Sequence, residues 1–123
     1  MSNPAYQPSP IFVQTYELLR WLIPSTLNFP KNQRGVLARQ IQTQAFALYE
    51  SLVDAVKSGP KRATLQRADG HLAKLRAYLR LARDLNLITP GQYAHVSQMH
   101  VEIGNLLGGW LHKTGVSDEP ISE

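Results

Sequence analysis

The sequence contains no cysteine. That absence excludes a disulfide framework, a thiol nucleophile and a thiolate metal site. No uninterrupted apolar run approaches the length of about 20 residues that a membrane-spanning helix needs. The opening Met1-Ser2-Asn3-Pro4-Ala5 lacks the basic and apolar regions of a secretory signal, so a cytoplasmic location is expected. Strand-type alternation of useful length is missing, as are internal repeats, low-complexity runs, a glycine-rich phosphate loop and a nucleophile elbow. Histidine is scarce, and its spacing is poor for metal: His95 and His100 are five apart, where one helix face needs three or four. No Glu-x-x-His pair of the di-iron bundle type occurs. Acids are few. Glu50 and Asp54 form an i,i+4 pair that in a bundle core would suit acid–base work, but beside Lys57 it reads as a solvated face. No catalytic residue, metal, cofactor, membrane or small-molecule substrate is therefore expected.

What is present fits one domain: 123 residues with 43% apolar side chains. The 13 Lys and Arg outnumber the 9 Asp and Glu, a formal charge of +4. This mean hides an asymmetry. The last ten residues hold three acids and no base, and the first ten hold no charged side chain, so the body 11–113 carries +7. A body that basic points to an anionic partner, with nucleic acid the leading class.

Residues 1–10, with Pro4, Pro8 and Pro10, read as a disordered arm, and 114–123 as a disordered acidic tail. Between them lie four segments of helical periodicity. The first spans about 11–27, with Phe12, Tyr16, Leu19 and Ile23 as its stripe and Pro24 expected to kink or end it. The second spans about 31–58 on Leu37, Ile41, Leu48 and Leu52, with Ala45 and Val56 filling in. Ser58-Gly59-Pro60 stops it and starts the third, about 61–86, where Leu65, Ala68, Leu72, Leu75, Leu79 and Ala82 form a heptad seam. Thr89-Pro90-Gly91-Gln92 is a capping box with proline at the first helical position, and Ile88 and Tyr93 are placed as its hydrophobic staple. The fourth segment, about 90–113, turns Tyr93, Val96, Met99, Ile103, Leu107 and Trp110 inward. Gly104 and Gly108 share a face and suggest close helix approach. Short links make consecutive helices antiparallel, which predicts an all-α, up-down-up-down four-helix bundle.

Two surfaces of that bundle are the candidates for function. The third segment holds seven bases against Asp69 and Asp84. On a helix Arg76, Arg80 and Arg83 fall within roughly 60° of one another, Arg62 extends the strip, and Lys74 lies on another side. Arginine suits bidentate phosphate contact and stacking on bases. Arg62, Lys74, Arg76, Arg80 and Arg83 are accordingly the expected nucleic-acid or polymerase contacts, the plain alternative being a solvated basic face. The first segment is apolar over most of its circumference, more than one small bundle covers. Tyr16, Trp21 and Leu22 are therefore expected at a homo-oligomer interface, unless the N-terminal arm folds over them.

The stretch Tyr16-Glu17-Leu18-Leu19-Arg20-Trp21-Leu22-Ile23-Pro24, followed by Phe29-Pro30-Lys31 and Gln33-Arg34, resembles the opening of the accessory variability determinant (Avd) proteins of diversity-generating retroelements. Leu75-Arg76 through Leu79-Arg80-Leu81-Ala82-Arg83-Asp84-Leu85 resembles their third helix, and Tyr93 through Ile103-Gly104-Asn105-Leu106-Leu107-Gly108-Gly109-Trp110 their last. The likeness covers about 11–113. It implies a four-helix bundle assembled as a barrel-shaped homopentamer without catalysis of its own. It also implies binding to the element's reverse transcriptase, its template RNA and RNA–DNA intermediates, in support of mutagenic, adenine-directed cDNA synthesis and retrohoming. The positions matching the family's basic surface are Arg76, Arg80 and Arg83. The Pro-rich start departs from the family's shorter one. A sister group of four-helix proteins, encoded in intervening sequences of 23S ribosomal RNA genes, is the alternative, along with a structural oligomer that has a solvated basic face.

Overall fold

The computed structural model describes residues 10–118. Helix α1 (Pro10–Leu27) is followed by a short helix α2 (Lys31–Gln33), a π-helical segment (Arg34–Ala38) and α3 (Arg39–Ser58). Together α2, the π segment and α3 fill the second expected helix. Then come α4 (Arg62–Asp84) and α5 (Pro90–Asp118). The described residues thus form four long helical arms and no strand. Helix α1 packs against α3 and α5, and α4 also packs against α3 and α5. The bundle is a closed square in which the α1/α3 edge lies opposite the α4/α5 edge.

The second and third connections between the arms have local causes. Gly59 adopts φ 86° and ψ 144°, a backbone region open essentially to glycine alone, and Pro60 follows it. Helix α4 ends in a Schellman turn: Asn86 takes φ 60°, the Asn86 N–H donates to Arg83 O at 2.9 Å, and the Leu87 N–H donates to Ala82 O at 2.8 Å. The expected capping box then starts α5. The Thr89 N–H donates to Gln92 Oε1 at 2.8 Å, and the Gln92 N–H donates to Thr89 Oγ1 at 3.0 Å. Ile88 is buried and Tyr93 packs against the core, as the staple requires.

The α4 seam is buried in full, from Leu65 to Ala82. In the second arm the inward set is Leu37 of the π segment and Ile41, Ala45, Leu48 and Leu52 of α3, but Ala55 takes the place expected of Val56, which is exposed. Helix α5 buries Val96, Ile103 and Leu107 and leans Tyr93, Met99 and Trp110 on the core.

The face of α1 is the main correction. Its buried residues are Ile11, Thr15, Leu18, Leu19, Leu22 and Thr26; of the expected stripe, Tyr16 is exposed, while Phe12 and Ile23 are half-buried. Two threonines stand on the inward line, their hydroxyls satisfied by their own helix. Thr15 donates to Ile11 O at 2.7 Å, and Thr26 to Leu22 O at 2.9 Å. Hydropathy therefore pointed to the neighbouring face. Leu22, expected between subunits, is 1% exposed and belongs to the protomer's own core.

Pro24 lies inside α1, which continues to Leu27. Side chains beside it supply local bonds, Ser25 Oγ–H to Trp21 O at 2.8 Å and Thr26 Oγ1–H to Leu22 O and Ile23 O. Helix α5 runs past the expected end at 113 to Asp118. Its glycines do not break it, and Thr114 folds its hydroxyl onto Trp110 O and Leu111 O. A Cβ built on Gly104 would meet Leu72 at an ordinary 3.8 Å and one on Gly108 would meet nothing, so close approach within the protomer requires neither glycine. Of the expected arm and tail, residues 1–9 and 119–123 lie outside the described residues.

Candidate nucleic-acid interface

The strip on α4 is built by period and anchored by the seam beneath it. Because Leu72, Leu75, Leu79 and Ala82 are buried against α3 and α5, Arg76 and Arg80 are turned outward and are exposed. Arg83 sits at the last turn, half-buried, where the first turn of α5 comes alongside. Its guanidinium carbon lies 4.6 Å from the centroid of the Tyr93 ring, a cation–π distance. Its Nε and Nη2 both donate to Asp84 Oδ1, at 3.2 and 2.9 Å. No hydrogen bond or ion pair holds Arg76 or Arg80 among the described residues. Arg76, Arg80, Arg83 and Tyr93, with Ala73 and Ala77, line one open recess of about 500 Å³. Periodicity therefore identified the arginines but missed Tyr93, the aromatic ring among them. Its proximity depends on the five-residue turn between α4 and α5, and the only sequence signal was its staple position.

The other expected contacts lie apart from this recess. Lys74 is exposed on another side of α4, and Arg62 is half-buried at the helix start. Neither lines the recess. Beside the recess, His100 donates its Nε2–H to Leu72 O at 2.9 Å. Burial pushes its pKa down and the Arg76 charge does the same, against the Leu72 hydrogen bond and Asp69, which pull it up. His71, whose Nδ1 lies 2.8 Å from Gln44 Oε1, is also lowered, by burial first and then by Lys74 and Arg67. Among the described residues no group of three or more His, Asp or Glu side chains is placed to hold a metal ion. Among them, too, no helix is long and apolar enough to cross a membrane.

The expected oligomer residues divide three ways. Leu22 is core. Trp21 is half-buried, with its ring 5.5 Å from that of His95 on α5. Tyr16 is 50% exposed, on an open, largely apolar groove of about 910 Å³ between α1 and α3. Phe46, 45% exposed, lines the same groove, as do the exposed Glu50 and Asp54. The carboxylate pair is on the surface, as read from its neighbour Lys57.

A protein-family model described as bAvd-like matches residues 11–114. A search of curated proteins finds no match.

Proposed function

Because the chain belongs to the bAvd-like family, we propose that it is a non-catalytic accessory protein of a diversity-generating retroelement. In this reading it binds the element's reverse transcriptase and template RNA and supports adenine-directed, mutagenic cDNA synthesis. The observation that carries the reading is the family match across nearly the whole bundle. The surface supports it. Arg76 and Arg80 stand exposed beside Arg83 in a body with a net charge of +7, and such a strip gains affinity by releasing counterions from phosphates.

Assembly into a homopentamer belongs to the same proposal. A ring repeats each strip around its axis, so that contacts of modest strength become avid. The α1/α3 groove, with Tyr16 and Phe46 exposed, is the surface offered to a second copy.

The test is the triple variant Arg76→Glu, Arg80→Glu, Arg83→Glu, assayed for binding to the cognate template RNA and to the reverse transcriptase. Loss of either partner with helicity retained supports the role. Unchanged binding and unchanged cDNA synthesis would leave the strip a solvated basic face. A wild-type protein with no affinity for either partner at low salt would refute the function altogether.

A further inference from the structure

We propose that the Arg83–Tyr93 pair is a stacking platform for one unpaired base of a single-stranded nucleic acid, with Arg76 and Arg80 taking the phosphates on either side. The proposal rests on the nucleic-acid reading above and adds the strandedness of the ligand and a division of labour among the arginines.

Arg83 is unlike its two neighbours. Its guanidinium is held over the Tyr93 ring at 4.6 Å and at its edge by Asp84. Asp84 occupies the Nε/Nη2 edge of the guanidinium, so a phosphate is left only the Nη1 side of Arg83, whereas Arg76 and Arg80 offer their whole fork. What remains is a planar, ordered group whose side chain is still 40% exposed. Guanidinium planes stack on bases, and this one has already lost the rotamer freedom that an unsupported arginine would lose on binding. Arg76 and Arg80 have the opposite properties. They are exposed, unpaired among the described residues and one helical turn apart, and so suited to anions.

The space between them accommodates a nucleotide. The recess of about 500 Å³ has Ala73 and Ala77 among its lining residues, so no bulky side chain from those two positions fills it. That volume lies within the roughly 300–1,000 Å³ of ordinary small-ligand sites. A base inside a duplex is stacked and paired and cannot enter without being pulled out. A duplex therefore meets only the phosphate-binding arginines, whereas a single strand meets the platform as well.

The experiment uses the full chain and two probes of one sequence, a single-stranded RNA oligonucleotide with a central aminopurine and the same strand in a duplex. The wild type is expected to bind the single strand more tightly and to change the aminopurine emission. Arg83→Lys keeps the charge and removes the plane. It is expected to weaken single-strand binding about tenfold, within the usual worth of a stacked base, and to abolish the emission change, while duplex affinity stays within twofold. Tyr93→Phe is expected to behave as wild type and Tyr93→Leu as Arg83→Lys. Should Tyr93→Leu lose helicity, Arg83→Lys decides. Single-strand affinity and emission unchanged in Arg83→Lys would overturn the platform, as would a wild type that binds duplex as tightly as single strand with no emission change. A variant that loses only polymerase binding would overturn it too and move the pair to a protein contact. Wild-type binding without a platform signal refutes this proposal alone, while no binding of either probe at low salt refutes it together with the functional reading.

Discussion

At the residue scale, two histidines and one asparagine carry measurable consequences. His100 ties α5 to the α4 backbone through Leu72 O, and its imidazole is held below the ordinary value of 6.5, as is that of His71. When the folded pKa is the lower one, the unfolded chain binds the proton first. In the window below about 6.5 the unfolded state therefore carries more protons, and stability falls as pH falls until the folded value is passed. The thermal midpoint should be lower at pH 5 than at pH 7, and the double variant His71→Gln, His100→Gln should narrow that gap. A gap of unchanged size would assign the pH dependence to other groups. Asn86 is the one non-glycine residue with positive φ among those described. Asn86→Ala should cost about 1 kcal/mol in urea unfolding, the penalty of a Cβ in the left-handed region without asparagine's local hydrogen bonding, whereas Asn86→Gly should be neutral or slightly stabilising.

At the scale of elements, the capping box and the heptad seam give sharper expectations. Thr89 Oγ1 accepts the Gln92 N–H, and Thr89→Ala should destabilise by about 1 kcal/mol. Leu75 is fully buried in the seam while Val56 is exposed, so Leu75→Ala should cost about 2–5 kcal/mol and Val56→Ala within about 0.5 kcal/mol. Chemical denaturation of the two single variants measures both. These are also the elements that the sequence makes legible. Six seam positions alternate three and four apart with no polar intruder, and Thr89-Pro90-Gly91-Gln92 has few other uses than to start a helix. Helix α1 is less legible because its apolar residues surround it. The inward line runs through Thr15 and Thr26, whose hydroxyls turn back to their own carbonyls, so the burial pattern and the hydropathy pattern disagree by one residue. Tyr93 shows a different limit. Period places the three arginines on one strip, but which α5 side chain meets that strip is decided by the turn at Asn86, beyond the reach of any single-helix pattern.

At the scale of the whole molecule, the two surfaces proposed for assembly and for nucleic acid lie on opposite edges of the square. The groove lined by Tyr16, Phe46, Glu50 and Asp54 runs along α1/α3, and the arginine recess runs along α4/α5. Placing assembly on the first edge leaves the second available to a polyanion, and this separation is open to test. Tyr16→Glu with Phe46→Glu adds two charges at exposed positions of the groove and removes no fully buried side chain. Sedimentation equilibrium should show the mass of this variant falling toward one chain while its helicity is kept. The variant should still bind single-stranded RNA, but more weakly than the assembled wild type, because each particle now presents one strip instead of several. The Arg76, Arg80, Arg83 charge reversal should do the reverse, losing RNA while keeping its mass. If the arginine variant also falls apart, the strip lies at the subunit contact and the two edges are not separate in function. If the groove variant stays assembled, self-association uses another face, and the apolar surface that α1 turns outward has a different occupant.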